Sequence, residues 1–180
     1  MIHDDVERVL FTQEEISEKC KELGKTITED YTKTGDIPLL VGLLKGSIPF
    51  LSELMKYVDL PVKFDCMDVS SYDGTESLGD IKINKDLDYS LKNVSVLLVE
   101  DIVDTGRTLV AVKNMLKNKG AKDVKVVTLL DKPARRVVEM QPDYCGFEIE
   151  NEFVIGYGLD YNQLYRNLPY VGVLKRSVYE

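Results

Sequence analysis

Tryptophan is absent from this chain of 180 residues, and histidine occurs once, as His3. With a single histidine near the start of the chain, Ser-His and Cys-His mechanisms are not expected, and proton transfer falls to carboxylates, lysine or tyrosine. The three cysteines, Cys20, Cys66 and Cys145, are odd in number and widely spaced, with no CxxC pair. We therefore expect neither a disulfide framework nor a structural zinc site, and the thiols indicate a reduced, cytoplasmic protein.

Long hydrophobic runs are also lacking. No apolar run approaches the roughly 20 residues of a membrane-spanning helix, and the acidic start of the chain is unlike a signal peptide. Basic residues are in the minority, giving a net charge of −8 and a pI near 4.8. That balance disfavours contact with nucleic acid or an anionic membrane surface. At 44% hydrophobic residues, the chain can bury the core of one domain.

The most informative segment is residues 94–108, VSVLLVEDIVDTGRT. It opens with nearly continuous apolar sequence, which predicts a parallel strand covered on both faces. Glu100, Asp101 and Asp104 follow where such a strand leaves the sheet, at the edge where open α/β sheets bind ligands. Taken alone, these acids also suit a solvated turn in which Asp104 caps the next helix.

The next four residues, Thr105, Gly106, Arg107 and Thr108, favour a ligand over a plain turn. They precede apolar residues at helical spacing, and their backbone amides can face an anion at the start of that helix. Carboxylates accept hydrogen bonds from ribose hydroxyls, whereas amides bind phosphate. The combination indicates a phosphorylated sugar as ligand.

The rest of the chain alternates strand and helix patterns, which predicts an α/β protein with a mainly parallel sheet. Thr12 and Glu15 form a capping box before an N-terminal helix, although Gly24 weakens that prediction. Residues 70–88, rich in Ser, Gly and Asp, predict a mobile loop or an edge hairpin. Further helices are expected at residues 48–57 and 109–120. The predicted strands are residues 38–44, 62–69, 94–99, 124–130, 144–149, 153–155 and 170–174.

Two glycine-containing segments resemble nucleotide-binding loops only superficially. In Lys45-Gly46-Ser47 the glycine spacing is too short for a P-loop, which leaves a turn able to bind a second anion or an ordinary turn with a surface lysine. Residues 156–158, GYG, lack the third glycine of a dinucleotide fingerprint and predict a tight turn. Lys132 ends a strand at the same sheet edge as the acids, but for an isolated lysine a solvated charge is the favoured interpretation.

Taken together, five ordered motifs resemble the type I phosphoribosyltransferase family, and within it the bacterial hypoxanthine-guanine phosphoribosyltransferases. They extend over residues 39–174 and read LVGLLKGS, SSYDGTESLGDIK, VLLVEDIVDTGRTL, LLDKPARR and FVIGYGLDYNQLYRNLPYVGVL. The resemblance implies a single domain, residues 1–180, with a twisted, mainly parallel sheet flanked by helices. The core would be about residues 35–150, the mobile loop about 70–88, and a small hood would form from the N-terminal segment and residues 151–180.

The resemblance also implies an activity. It is the Mg²⁺-dependent transfer of ribose 5-phosphate from phosphoribosyl pyrophosphate (PRPP) to N9 of hypoxanthine or guanine, which yields IMP or GMP and releases pyrophosphate. A homodimer or homotetramer is expected from the family alone.

Site residues follow from the resemblance, position by position. On the PRPP side, Glu100 and Asp101 correspond to contacts with the ribose hydroxyls and the magnesium shell. Asp104 corresponds to the general base at purine N7. The 5′-phosphate loop corresponds to Asp104, Thr105, Gly106, Arg107 and Thr108, and the pyrophosphate contacts to Lys45, Gly46, Ser47 and Arg166. The family also has a non-proline cis peptide at the position of Leu44-Lys45.

On the base side, the resemblance assigns each remaining position one role. Lys132 corresponds to the donor to the purine O6, Phe153 to the ring stacked on the purine, Val154 to a backbone contact and Asp160 to a magnesium ligand near the base. Ser71 and Tyr72 correspond to a closing loop that screens the reaction from water.

Two alternatives stay open. A regulator with this fold could sense PRPP and bind nucleic acid, although the acidic balance and the presence of both Asp104 and Lys132 count against it. A phosphoribosyltransferase for orotate or adenine would share the PRPP motif, but LLDKPARR followed by FVIGYG is not expected there.

Overall fold

A computed structural model describes residues 1–71 and 81–180. Over these residues the strands and α-helices are, in chain order, β1 (Val6–Phe11), α1 (Gln13–Thr34), β2 (Leu39–Leu43), α2 (Ile48–Leu54), β3 (Lys63–Ser71), β4 (Ile81–Lys85), β5 (Ser95–Val103), α3 (Arg107–Asn118), β6 (Asp123–Asp131), β7 (Tyr144–Glu148), β8 (Val154–Ile155), β9 (Val171–Leu174) and α4 (Arg176–Tyr179). Short 3₁₀ helices lie at Ile2–Asp5, Met55–Tyr57 and Pro133–Arg135.

The main sheet has six strands in the order β4-β3-β2-β5-β6-β7. All neighbours pair in parallel except β4, which runs antiparallel to β3 at one edge. The predicted fold class, an α/β protein with a mainly parallel sheet, is confirmed. Because β2, β5 and β6 are adjacent and parallel, their carboxyl ends open onto one common crevice.

Strand β5 occupies the centre of this sheet because its first five residues are apolar or small and can be covered on both faces. Its side chains alternate between two cores. Leu97 and Val99 pack with α1 and α2, whereas Val96 and Leu98 pack with α3. The sheet is thereby fixed on both sides, and the acids that end β5 project from a rigid strand.

Helix α1 begins with the predicted capping box. The Glu15 N–H donates to Thr12 Oγ1 at 3.2 Å, and the Thr12 N–H donates to the Glu15 carboxylate at 2.8 Å. Gly24 does not interrupt the helix. A Cβ at Gly24 would lie 2.6 Å from Cβ of Tyr57, so glycine here allows α1 to pack closely against the 3₁₀ segment that follows α2.

A second sheet of three antiparallel strands, β1-β9-β8, joins the start of the chain to its last third. The assignment of these parts to a hood stays a prediction. Of the two structures predicted for residues 70–88, the edge hairpin is present in part, because Ser71 and Ile81 are paired. Tyr72 lies outside the described residues. In the described part of the chain, no helix is long and apolar enough to cross a membrane.

Candidate active site

A cleft of about 260 Å³ lies at the carboxyl ends of β5 and β6. It contains acids from the β5 end, the lysine that follows β6, and residues on both sides of β8. The described residues that line it are Asp101, Ile102, Asp104, Lys132, Phe153, Val154, Leu159 and Asp160. The structure therefore brings together side chains that the sequence analysis singled out in separate motifs.

The two acids at the end of β5 are poorly solvated. Glu100 Oε2 is buried without a hydrogen-bond partner among the described residues. Burial, followed by the charge of Asp101, raises the pKa of Glu100 well above its ordinary range. Burial also raises the pKa of Asp101 to about 6, against the opposing effect of the Ile102 N–H that donates to it at 2.8 Å. Buried acids without partners favour a ligand that supplies cations or hydroxyl donors.

The donor set at these acids suits a magnesium ion shared with a substrate. No cluster of three His, Cys, Asp or Glu side chains that could hold a metal ion exists within residues 1–71 and 81–180. Mg²⁺ commonly uses one or two carboxylates and completes its shell with water and substrate phosphates. Asp101 and Asp160 line the cleft and Glu100 adjoins Asp101, so one or two of these carboxylates, completed by water and substrate oxygens, fit the ion.

The backbone of the turn after β2 packs directly against the Asp101 carboxylate, with no room for a side chain at Gly46. A Cβ at Gly46 would lie 1.7 Å from Asp101 Oδ2, and a Cβ at Gly158 would lie 1.9 Å from the Gly46 carbonyl oxygen. The Leu44-Lys45 peptide bond is cis, as the family resemblance implies. Ser47 is buried and its hydroxyl donates to the Leu43 carbonyl at 2.6 Å, so this hydroxyl stabilises the turn.

The start of α3 is left open for an anion. Gly106 is its N-cap at φ +81° and has no side chain to cap the turn, and no acid lies in that turn. The Arg107 N–H makes one long hydrogen bond, to Thr105 Oγ1 at 3.5 Å. Helix α1, in contrast, is capped by Thr12 and has two acids in its first turn. The free amides and the positive end of the α3 dipole both favour phosphate.

Arg136 stabilises the backbone of the loop between β5 and α3. It donates to the Asp104 carbonyl oxygen at 2.9 Å and forms an ion pair with Asp131 at the end of β6. The Val137 N–H donates to the Thr105 carbonyl oxygen at 3.2 Å. The segment after β6 therefore fixes the backbone of the candidate phosphate loop.

The Asp104 side chain faces the cleft and does not cap α3, so the capping alternative is wrong. Its Oδ1 accepts from Arg135 Nε at 3.0 Å. Sequence reasoning missed Arg135. A signal was present, since two adjacent arginines follow strand β6 at the edge that carries the acids.

Lys132 is 8% exposed, so the interpretation of a solvated charge is wrong. Its Nζ donates to the Glu152 carbonyl oxygen at 2.6 Å, and burial lowers its pKa. The Glu152 carboxylate in turn accepts from Arg8 of β1 at 2.5 and 2.6 Å. Glu152, itself bound by Arg8, thus holds the Lys132 ammonium in the cleft beside Phe153.

The part of the cleft around β8 is largely apolar. Phe153 remains 38% exposed, and Val154 is buried in β8. Ile102 and Leu159 add further apolar lining that sequence reasoning missed, because neither stands out from ordinary core residues. Apolar walls around a few placed polar groups are typical of small-molecule sites.

Arg166 and Asp160 form a pair beside the cleft. Arg166 donates to the Gly158 carbonyl oxygen at 2.6 Å and lies 2.8 Å from Asp160 Oδ1. Its Nε is buried and has no partner among the described residues. A guanidinium with an unsatisfied donor is suited to a phosphate oxygen. Ser71 lies in β3.

Comparison with known proteins agrees with this arrangement of strand ends, acids and open helix. The phosphoribosyl transferase domain model matches residues 10–162, which places the chain in that class of transferases. The hypoxanthine-guanine phosphoribosyltransferase of Lactococcus lactis subsp. lactis is 55% identical over 175 residues, covering 97% of this chain and 94% of the relative. That of Streptococcus mutans is 51% identical over 180 residues, with 99% of each chain covered.

A solved structure extends the agreement to the whole fold. The crystal structure of a hypoxanthine phosphoribosyltransferase from Staphylococcus aureus matches with a TM-score of 0.94 and 49% identity, covering 99% of this chain and 97% of the other. The chain therefore belongs to the hypoxanthine-guanine phosphoribosyltransferase family.

Proposed function

We propose that this protein is a purine-salvage enzyme that transfers the 5-phosphoribosyl group from PRPP to N9 of hypoxanthine or guanine. The products are IMP or GMP and pyrophosphate. One observation carries the proposal: a single cleft joins the poorly solvated Asp101 and a buried lysine beside an aromatic ring, and a helix that begins at Gly106 without a side-chain cap adjoins it.

Glu100 and Asp101 accept hydrogen bonds from the ribose hydroxyls of PRPP and, with Asp160, contribute oxygen ligands to Mg²⁺. When bound, Mg²⁺ neutralises charge on the pyrophosphate leaving group. Two observations support this role: Glu100 Oε2 has no hydrogen-bond partner in the part of the chain that the structure describes, and the pKa values of both β5 acids are raised. A bound cation and the ribose hydroxyls would supply the carboxylate oxygens with the partners that the described residues do not provide.

The two ends of PRPP bind to two backbone turns. The amides of Thr105, Gly106, Arg107 and Thr108, together with that of Asp104, bind the 5′-phosphate at the start of α3. Lys45, Gly46 and Ser47 form the pyrophosphate loop, to which Ser47 contributes its backbone, and Arg166 contributes a guanidinium. The unsatisfied Arg166 Nε supports an anion at this position.

Lys132 selects the base. Its ammonium donates to the O6 carbonyl of a 6-oxopurine, whereas adenine presents an amino donor at the same position and would face it donor to donor. Phe153 stacks on the purine ring, and Val154 contacts it through its backbone. The pocket thereby combines an apolar stack with one discriminating hydrogen bond.

Asp104 is the general base. As the bond from N9 to the ribose forms, the purine loses a proton at N7, and a carboxylate at the edge of the base pocket can accept it. The same negative charge stabilises an oxocarbenium-like transition state. At 41% exposure, the Asp104 side chain is accessible to a bound purine.

Three further features belong to the proposal. By the family resemblance, Ser71 and Tyr72 contribute to closure of the site, which protects PRPP from hydrolysis. The N-terminal segment and residues 151–180 form a hood that clamps the base. The enzyme acts in the cytoplasm as a homodimer or homotetramer.

The test is pyrophosphate release by the purified protein with Mg²⁺ and PRPP, comparing hypoxanthine, guanine, xanthine, adenine and orotate. We expect turnover with hypoxanthine or guanine, none with adenine or orotate, and none after chelation of the metal. PRPP binding without turnover of any base would overturn the proposal in favour of a PRPP-sensing regulator.

A further inference from the structure

The Phe153 ring is enclosed by two other aromatic rings. Tyr179 stacks on it with centroids 4.9 Å apart and planes 23° from parallel. Tyr161 meets it edge-on, with centroids 5.6 Å apart and planes at 86°. Offset stacks and edge contacts are the favoured arrangements of aromatic pairs, so the orientation of Phe153 is set by its neighbours.

Tyr179 covers one face of the Phe153 ring. Phe153 lines the cleft, and Tyr179 is not among the described residues that do so. A ring has two faces, so the tyrosine covers one and leaves the other for a ligand.

Helix α4 is fixed where it can support this ring. The Leu174 N–H donates to the Phe153 carbonyl oxygen at 2.9 Å, and the Lys175 N–H donates to the Asp5 carbonyl oxygen at 2.9 Å. Val178 and Tyr179 then pack against a small buried cluster that includes Ile155. The backbone on either side of the stack is therefore anchored to the same sheet, β1-β9-β8.

This arrangement has a binding consequence. Phe153 is 38% exposed, and an exposed side chain loses rotational freedom when a ligand immobilises it. A ring already held by Tyr179 loses less freedom, so stacking on it yields more net affinity.

We propose that Tyr179 is a positioning residue of the base site, which holds the Phe153 ring in the orientation that stacks on a 6-oxopurine. The inference rests on the proposed function and adds to it a residue in the last helix. It concerns the base alone, because the contacts of Tyr179 described above are with Phe153 and the small cluster that includes Ile155.

The experiment compares Tyr179→Ala and Tyr179→Phe in the full chain, with Val178→Ala as a control for general disturbance of α4. In Tyr179→Ala we expect KM for hypoxanthine and Kd for IMP to rise roughly 3- to 10-fold, the scale of an aromatic pair. Both kcat and KM for PRPP should stay within about twofold, since no PRPP contact is changed. Tyr179→Phe keeps the stack and should restore KM, and Val178→Ala should leave it within about twofold.

A double-mutant cycle tests whether the effect passes through Phe153. In a Phe153→Ala background, Tyr179→Ala should change Kd for IMP by less than about twofold. An undiminished effect there, an unchanged KM in Tyr179→Ala, or a lower KM, as expected if the tyrosine competed with the purine, would each overturn the inference. If Tyr179→Ala does not fold, Tyr179→Leu removes the ring while keeping apolar bulk. Absence of turnover by the unmodified protein with every 6-oxopurine would instead refute the proposed function.

Discussion

The Asp104 carboxylate and the Arg135 guanidinium form an ion pair in which Nε donates to Oδ1 at 3.0 Å. The second oxygen of the carboxylate makes no hydrogen bond to any residue within the described ranges. For the general base proposed at Asp104, orientation through one oxygen with the other free is consistent with catalytic bases in general, which are commonly oriented by a third group. The pair connects the end of β5 to the segment after β6.

Removing the carboxylate should affect chemistry more than binding. For Asp104→Ala we expect kcat to fall roughly 10²- to 10⁴-fold, the usual scale of general acid-base catalysis. Asp104→Asn keeps the shape without the basic oxygen and should be impaired to a similar degree. Steady-state kinetics with hypoxanthine measure both, and near-normal turnover in either variant would remove the base role.

Removing the arginine should impair the base without abolishing it. For Arg135→Met we expect kcat to fall about 10-fold with KM for PRPP nearly unchanged, because a misoriented general base loses part of its contribution. Arg135→Lys keeps the charge and should recover part of the loss. Lys122→Met is the matched control, since Lys122 forms an exposed ion pair with Asp36 at 2.8 Å away from the cleft. Equal losses in Arg135→Met and Lys122→Met would contradict the orienting role.

Lys132 is expected to set base selectivity. Lys132→Ala removes the donor to O6, so we expect weaker use of hypoxanthine and guanine and weaker discrimination against adenine. Competition assays with hypoxanthine and adenine measure the ratio of their kcat/KM values. If that ratio does not change, the O6 assignment is incorrect.

The β5 acids should lower stability at neutral and alkaline pH. Their pKa values are raised in the folded state, so between the unfolded and folded pKa values the folded protein binds more protons than the unfolded chain. The free energy of unfolding contributed by these groups therefore falls as pH rises, for Asp101 from its ordinary pKa up to about 6. Above that pH, Asp101 causes no further decrease in the free energy of unfolding.

Glu100→Gln removes one of these charges and isolates its effect. We expect the Tm of this variant to exceed that of the unmodified protein at pH 8, because the substitution removes a buried charge whose pKa is raised by burial. The difference should shrink towards pH 5. Glu53→Gln is a control for which the opposite change in Tm is expected, because Lys56 and Ser17 lower the pKa of Glu53 in the folded protein. Thermal unfolding that shows no pH-dependent gain in Glu100→Gln would contradict the prediction.

Much of the fold could be predicted because its signals are local. The apolar run of β5 predicted a buried parallel strand, and the capping box at Thr12 and Glu15 is present in the structure. Gly24 wrongly weakened the prediction of helix α1. The helix-disfavouring effect of one glycine is small, and here the close packing against Tyr57 outweighs it.

Within the site, the acids and the open turn of α3 could be found from sequence because strand ends and glycine turns have recognisable patterns. The burial of Lys132 could not, since it depends on the Glu152 carbonyl, which a different part of the chain supplies. Arg135 and Tyr179 are likewise defined by their contacts with Asp104 and Phe153 rather than by any motif of their own.

The contact between Gly158 and Gly46 limits how this site can change during evolution. At Gly158 even a Cβ would overlap the Gly46 carbonyl oxygen, and at Gly46 it would overlap Asp101. A side chain at Gly158 would require the Gly46 backbone to move, and a side chain at Gly46 would require the Asp101 carboxylate to move, so variation is constrained at both glycines. Diversification of substrate choice is therefore left to positions around the purine, where side chains rather than backbone form the wall.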